Sequence, residues 1–132
     1  MSTPSSSGGE NGTDENGRGE QRTGEERTVT LVEDEHRYIL LLDGARVGYT
    51  TYLDHGSQRV FVHTEIDMLQ SGKGLASTLV AAALDDVRAR GLRVVAICPF
   101  TATYLRGHRE YDDLSDPVTP QLKSELRAAN LL

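Results

Sequence analysis

Gln70-Ser71-Gly72-Lys73-Gly74-Leu75-Ala76 lies between an extended, β-branched stretch, Val60-Phe61-Val62-His63-Thr64-Glu65-Ile66, and an alanine-rich helical stretch from Leu75 to Arg90. Strand, glycine turn and helix in that order make a site for a pyrophosphate. Glycines let the backbone turn sharply and approach a ligand closely. The unpaired N–H groups of the first helical turn then face the anion, with the positive end of the helix dipole behind them. The turn is not a Walker loop, which needs a longer gap between its glycines and a following Lys-Ser/Thr pair. It is not the Rossmann fingerprint either, because the third glycine and the acidic residue on a second strand are missing. A nucleotide-like cofactor is expected; a glycine-initiated helix with no ligand is the alternative.

Outward from the turn, Thr28–Glu33 and His36–Leu42 read as two strands around the polar step Asp34-Glu35. Asp43-Gly44 is a hairpin signal. Arg46–Asp54 follows as a third strand, and His55-Gly56-Ser57 turns the chain into a fourth, Gln58–Asp67. Short turns imply an antiparallel meander. The helix from Leu75 places Leu75, Leu79, Ala82, Ala83 and Val87 on one face, with Asp85, Arg88 and Arg90 toward water. Gly91 suits a C-terminal cap. Leu92–Cys98 reads as a buried fifth strand, parallel to the fourth because a helical crossover joins them. Pro99 stops it, and a short helix covers about Ala102 to Gly107. Thr119-Pro120 signals a last helix start. There Leu122, Leu126 and Ala129 share a face that either packs over the domain or makes a dimer contact. The fold class is α+β: a four-strand antiparallel meander, a crossover helix and a parallel fifth strand.

The 132 residues fit one domain. Met1 to Arg27 contains no Val, Ile, Leu, Phe, Tyr or Trp, and such a segment cannot bury enough apolar area to offset chain ordering. Residues 1–27 are expected to be a disordered tail, 28–114 the folded domain and 115–132 a helical extension. Six acidic residues against three Arg in the tail make no nucleic-acid arm, and it lacks the apolar core of a secretory signal. No apolar stretch is long enough to span a bilayer. A formal charge of −6 without a basic cluster argues against a nucleic-acid binder. One cysteine excludes an internal disulfide and a multi-cysteine zinc site. A cytoplasmic protein without a metal, monomeric or homodimeric, is expected.

His63-Thr64-Glu65-Ile66, Gly72-Lys73-Gly74-Leu75-Ala76, Cys98-Pro99-Phe100, Tyr104-Leu105 and His108-Arg109-Glu110-Tyr111 occur in this order. Together they resemble the small YjdJ-type subfamily of the GNAT superfamily of acetyl-CoA-dependent N-acetyltransferases, over roughly residues 36 to 114. Two departures stand out. Ser71 replaces the usual Arg or Gln, which removes one cationic contact to the pyrophosphate, and Arg109 replaces a usual Pro.

The resemblance implies a GNAT-like fold in which the fourth and fifth strands splay apart at their C-terminal ends. It places the pantetheine arm of acetyl-CoA, the co-substrate, in that cleft along Asp67, Met68 and Leu69. The pyrophosphate then rests on the amides of Gly72, Lys73, Gly74 and Ala76. Lys73 either adds charge or is a solvated surface lysine. The implied reaction is acetyl transfer to a primary amine, either a small molecule or a protein or peptide. It requires a neutral amine, a polarised thioester and a leaving thiolate that can be protonated.

His63 and Glu65 are two residues apart in a strand and share a face. Either can take the amine proton, or the two form a hydrogen-bonded pair on a solvated sheet. Cys98 ends the fifth strand, where the thioester is expected. It is a contact or a nucleophile, the latter needing a thiol pKa lowered by His63 or by the helix after Pro99; the plainer reading is a small apolar filler. Tyr104 is placed to protonate the thiolate, or packs as an amphipathic side chain. His108 and Tyr111 read as structural. The alternative function is a non-catalytic acyl-CoA sensor or interaction module. An unrelated nucleotide-binding module is disfavoured by the lack of a Walker loop or an acidic ribose reader.

Overall fold

Period-two alternation builds the sheet. In the second strand Tyr38, Leu40 and Leu42 point to one face, while Arg37, Ile39 and Leu41 point to the other. A computed structural model describes residues 26–70, 72 and 74–132. The expected disordered tail therefore lies outside the described residues except for Glu26 and Arg27. Six strands stand in chain order: β1 (Arg27–Val32), β2 (Arg37–Leu42), β3 (Ala45–His55), β4 (Gln58–Ile66), β5 (Arg93–Ala96) and β6 (Ser115–Asp116). β1 to β4 pair antiparallel, and β5 and β6 join in parallel. The helices are α1 (Leu75–Ala89), α2 (Pro99–Gly107) and α3 (Pro120–Ala128).

The turns follow local chemistry. Asp43 and Gly44 both have positive φ, 52° and 86°, the backbone a tight two-residue hairpin requires. At the end of α1, Leu92 N donates to Val87 O and Gly91 N to Arg88 O, with Gly91 left-handed. This is the Schellman closure expected of a glycine there.

Each face of the sheet has its own cover. α1 and α2 pack on Tyr38, Leu40, Tyr52 and Phe61 through Leu75, Leu79, Leu84 and Leu105. α3 seats Leu122 and Leu126 on Val60 and Val95 of the opposite face. The sequence placed Ala129 on that helical face, but α3 ends at Ala128 and Ala129 is exposed.

At the end of the sheet away from the glycine turn, Arg59 is 5 % exposed. Its guanidinium makes two bonds to Asp54, at 2.8 and 3.0 Å, and lies 4.0 Å over the Tyr52 ring. It also donates to the Tyr38 hydroxyl, which donates onward to Asp86 at 2.6 Å. Burial, and then the Asp86 bond, push the Tyr38 phenol far above its ordinary range. A buried guanidinium is stable only when so fully partnered. This network ties β2, β3, β4 and α1 together.

Three boundaries differ from expectation for physical reasons. His36 is left-handed (φ 54°) and closes a single 3₁₀ turn over Glu33–Glu35, so β2 begins one residue later. α2 begins at Pro99, whose fixed φ suits a first helical position, and β5 accordingly ends at Ala96. β6 was not expected. Its two polar residues carry no alternation and are held by Val94 pairing and by Arg93 Nε donating to Asp116 at 2.8 Å.

Candidate active site

β4 and β5 part where the site begins. Their parallel pairing ends at Phe61 and Ala96. Phe61 O then accepts from both Ile97 N (3.0 Å) and Cys98 N (2.8 Å). Beyond it β4 runs on to Ile66 while the other chain turns into α2 at Pro99, which has no N–H to offer a ladder. Val62 has no opposite residue on β3: the register passes from Thr51↔His63 to Tyr52↔Phe61. Such a bulge bends a strand and re-aims the side chains beyond it. Past this bulge, Thr64 and Ile66 face α1 and α2, while His63 and Glu65 face the other side.

On the helical side lies the glycine turn. Asp67 starts it: its carboxylate accepts from Leu69 N and its carbonyl from Gln70 N, both at 2.9 Å. Gly72 and Gly74 have φ of 84° and 71°, a backbone that L side chains rarely adopt. A Cβ at either glycine would meet nothing within 4 Å, so conformation, not crowding, demands glycine. Thr78 N makes the first helical bond of α1, to Gly74 O at 3.2 Å. The amides of Leu75, Ala76 and Ser77 precede it and have no acceptor within the helix. They border a cavity of about 210 Å³ lined by Ile66, Gln70, Gly72, Gly74 and Phe100 among others. Open space, unpaired amides and a helix start are what a diphosphate needs, so the residues fit that group. Ser71 and Lys73 lie outside the described residues. Met68 and Leu69 are 87 % and 88 % exposed.

Cys98 faces the same side and is buried. Its Sγ–H donates to Thr64 Oγ1 at 3.4 Å, and Thr64 Oγ1 lies 2.9 Å from Thr50 Oγ1. Burial pushes the thiol pKa up. Hydrogen bonds from the Thr64 hydroxyl, from the Thr101 amide and hydroxyl, and from the Phe100 amide outweigh it, so the thiol lies below its ordinary value. His63 takes no part. Thr101 Oγ1 is buried beside the sulfur without a well-formed hydrogen bond.

On the opposite face, His63 Nε2 and Glu65 Oε1 are 3.4 Å apart, with side chains 59 % and 61 % exposed. The Tyr49 hydroxyl of β3 donates to that same Oε1 at 2.6 Å. Tyr49 first and His63 second hold the Glu65 carboxyl below its ordinary range. The Arg37 guanidinium lies 4.2 Å over the Tyr49 ring. A groove of about 370 Å³ leads away from this group, bounded by Arg37, Ile39, Gly48, Tyr49, Glu65 and Met68. A Cβ on Gly48 would meet Ile66 Cδ1 and sit 2.9 Å from Glu65 O, so only glycine lets β3 approach β4 here.

Tyr104 stands one turn beyond Phe100 on α2. Its ring stacks on His108, with centroids 3.8 Å apart, and His108 Nδ1 lies 2.8 Å from Tyr104 O. Burial, then Glu110 and Asp85, raise its pKa, which keeps the phenol protonated. Tyr111 is buried and donates to Asp85 at 2.7 Å, closing the domain between α1 and the segment after α2.

His63 and Glu65 are thus brought together, Cys98 is held on the other side of β4, and Tyr104 stacks on His108 at the end of α2. Tyr49, Thr64 and Thr101 escaped the sequence reading. Their signal is cross-strand register and the true start of α2, neither of which spacing reveals. Another cavity, about 510 Å³ between α2 and β6, has Arg106, Arg109 and Asp116 in its wall and shares no residue with the glycine turn. Among the described residues no group of three or more His, Cys, Asp or Glu is placed to hold a metal ion. Among them, too, no helix is long and apolar enough to cross a membrane.

The sequence profile of the GCN5-related N-acetyl-transferase family matches residues 37–114, more than half of the chain. No curated protein sequence matches it. The fold is similar to the solution structure of a GCN5-like protein from Staphylococcus aureus, with 18 % identity and a TM-score of 0.55 over 75 % of this chain and 95 % of that one. A ribosomal-protein-alanine N-acetyltransferase from Brucella melitensis biovar Abortus 2308 matches at 19 % identity and a TM-score of 0.43, over 63 % of this chain and 62 % of that one. The score of that second likeness is too low to carry an argument.

Proposed function

The chain belongs to the GCN5-related N-acetyltransferase family, and from that premise we propose that it moves the acetyl group of acetyl-CoA onto a primary amine approaching along the His63–Glu65 face. One observation carries this reading: β4 loses its β5 partner beyond Phe61 while still paired to β3, with the glycine turn on one side of it and the His63–Glu65 pair on the other. In this reading Gly72, Gly74 and Ala76, with Lys73, hold the pyrophosphate. The backbone from Asp67 through Met68 and Leu69 lines the pantetheine arm. His63 and Glu65 serve the amine, Cys98 contacts the thioester and Tyr104 serves the leaving thiolate. The run of motifs from His63 to Tyr111 supports the YjdJ-type subfamily. The lone cysteine supports a reducing compartment such as the cytoplasm.

The acceptor is a small-molecule amine or the amine of a protein or peptide, and the groove beside Glu65 is open enough for either. The test follows CoA thiol release with a panel of amines and peptides, for wild type and for His63→Ala. Release that depends on acceptor, and a fall of roughly two to four orders of magnitude in the variant, are expected for loss of a general base. Tight acetyl-CoA binding in a thermal-shift assay with no release for any acceptor would instead establish a non-catalytic acyl-CoA sensor.

A further inference from the structure

Of the two residues on the acceptor face, only one is suited to take a proton, and a third residue decides which. An ionised carboxylate offers no proton, so the contact between His63 Nε2 and Glu65 Oε1 requires the imidazole to donate from Nε2. In the neutral imidazole the lone pair then rests on Nδ1. Glu65 accepts from Tyr49 at 2.6 Å as well, and a carboxylate that already accepts two bonds is a weak base near neutral pH. Yet the Glu65 side chain is 61 % exposed and has no packing to hold it. Its one short bond is to Tyr49, its partner across the β3–β4 ladder. Tyr49 is itself steadied by the Arg37 guanidinium over its ring.

We propose that Tyr49 is a positioning residue that fixes the Glu65 carboxylate, so that Glu65 holds His63 in the Nε2–H tautomer with Nδ1 free to accept the amine proton. The inference rests on the acetyl-transfer reading above. In that reaction the amine nitrogen forms a bond to the acetyl carbonyl carbon and the carbon–sulfur bond breaks. The CoA thiolate leaves with the electron pair, and the proton lost by the amine passes to His63 Nδ1. His63 then returns it to the thiolate or to water. Glu65 stays ionised throughout, and Tyr49 touches neither reactant.

Tyr49→Phe keeps the ring and the Arg37 stack and removes only the hydroxyl. Nitrogen NMR of the full chain reads the imidazole tautomer directly. Wild-type His63 is expected to show a protonated Nε2 and a free Nδ1. Tyr49→Phe and Glu65→Gln are each expected to abolish that preference, and the double variant to do no more. With an amine acceptor, Tyr49→Phe is expected to lower kcat about tenfold with the KM for acetyl-CoA unchanged, and not to multiply with Glu65→Gln. A His63 tautomer unmoved by Tyr49→Phe, or rate effects that multiply, would overturn the proposal. If wild type acetylates no amine, the enzymatic reading fails while the tautomer still tests the relay. If transfer proceeds and the tautomer is unmoved, the relay fails alone.

Discussion

At the level of single residues, Cys98 has the environment most easily misread. A buried thiol is ordinarily harder to ionise, because burial disfavours the charged form. Here donors from Thr64, Thr101 and Phe100 converge on the sulfur and reverse the sign. The Thr101 hydroxyl is buried beside the sulfur without a well-formed hydrogen bond, at a cost of about 1–3 kcal/mol. The chain has one cysteine, so ultraviolet thiolate absorbance during a pH titration reports this group alone. A midpoint below that of an ordinary thiol is expected, and Thr64→Val moves it upward because burial remains while a donor is lost. A midpoint unmoved by Thr64→Val would refute this account of the thiol. The linkage has the same sign: a folded pKa below the unfolded one adds stability that is full above the unfolded value and is lost as pH falls through the folded value. The shared face of His63 and Glu65 was legible in the sequence because period two locates it, whereas Cys98, expected to end the fifth strand, instead caps α2 two residues past the end of β5. Tyr49 was not legible: the bulge at Val62 shifts the count across the hairpin by one, and no spacing rule announces a bulge.

Among the elements, the junction of β4 with α1 is the best read from sequence, and in the proposed reading it holds the cofactor. Two glycines at positive φ before an alanine-rich run leave few alternatives. Gly74→Ala tests conformation alone, since the added Cβ meets open space. It is expected to cost about 1 kcal/mol in denaturant unfolding, because an L side chain strains the left-handed backbone. Gly74→Glu adds an anionic charge in front of the Leu75–Ser77 amides, and calorimetric titration of the folded variant with acetyl-CoA is expected to show no binding. Affinity equal to wild type would withdraw the pyrophosphate assignment from this turn. Elements with weaker local signals were harder to read. β6 is two polar residues that become a strand only because β5 offers an unpaired edge, and α2 gained its first turn at Pro99, where the sequence suggested only an end to β5. α3 was placed by its Thr119-Pro120 start, and Thr119 Oγ1 does accept from Leu122 N at 3.0 Å.

Across the whole molecule, the sheet separates two approaches to one slot. The face under α1 and α2 presents the glycine turn, Phe100 and Cys98. The opposite face is covered by α3 around Val60 and Val95, with Leu53, Val62 and Ile97 beside them, and is open from His63 toward Arg37. In the proposed reading acetyl donor and amine acceptor occupy the protein together, each entering from its own side of β4. Such an arrangement needs no relay through the protein, because the nucleophile reaches the thioester directly. Initial rates measured over a grid of acetyl-CoA and amine concentrations are accordingly expected to give intersecting double-reciprocal lines, the pattern of a ternary complex. Cys98→Ala is expected to keep that pattern and most of the rate. The competing route has Cys98 accept the acetyl group first and release CoA before the amine binds. Its fingerprints are parallel lines, a burst of CoA without acceptor and an acetylated Cys98 peptide. Those results together with an inactive Cys98→Ala variant would make the helical face, rather than the acceptor face, the seat of the chemistry. The lowered thiol pKa alone does not decide for that route. A thiolate beside a leaving thiolate disfavours the charge that develops on CoA, and the amine has its own proton acceptor across the strand.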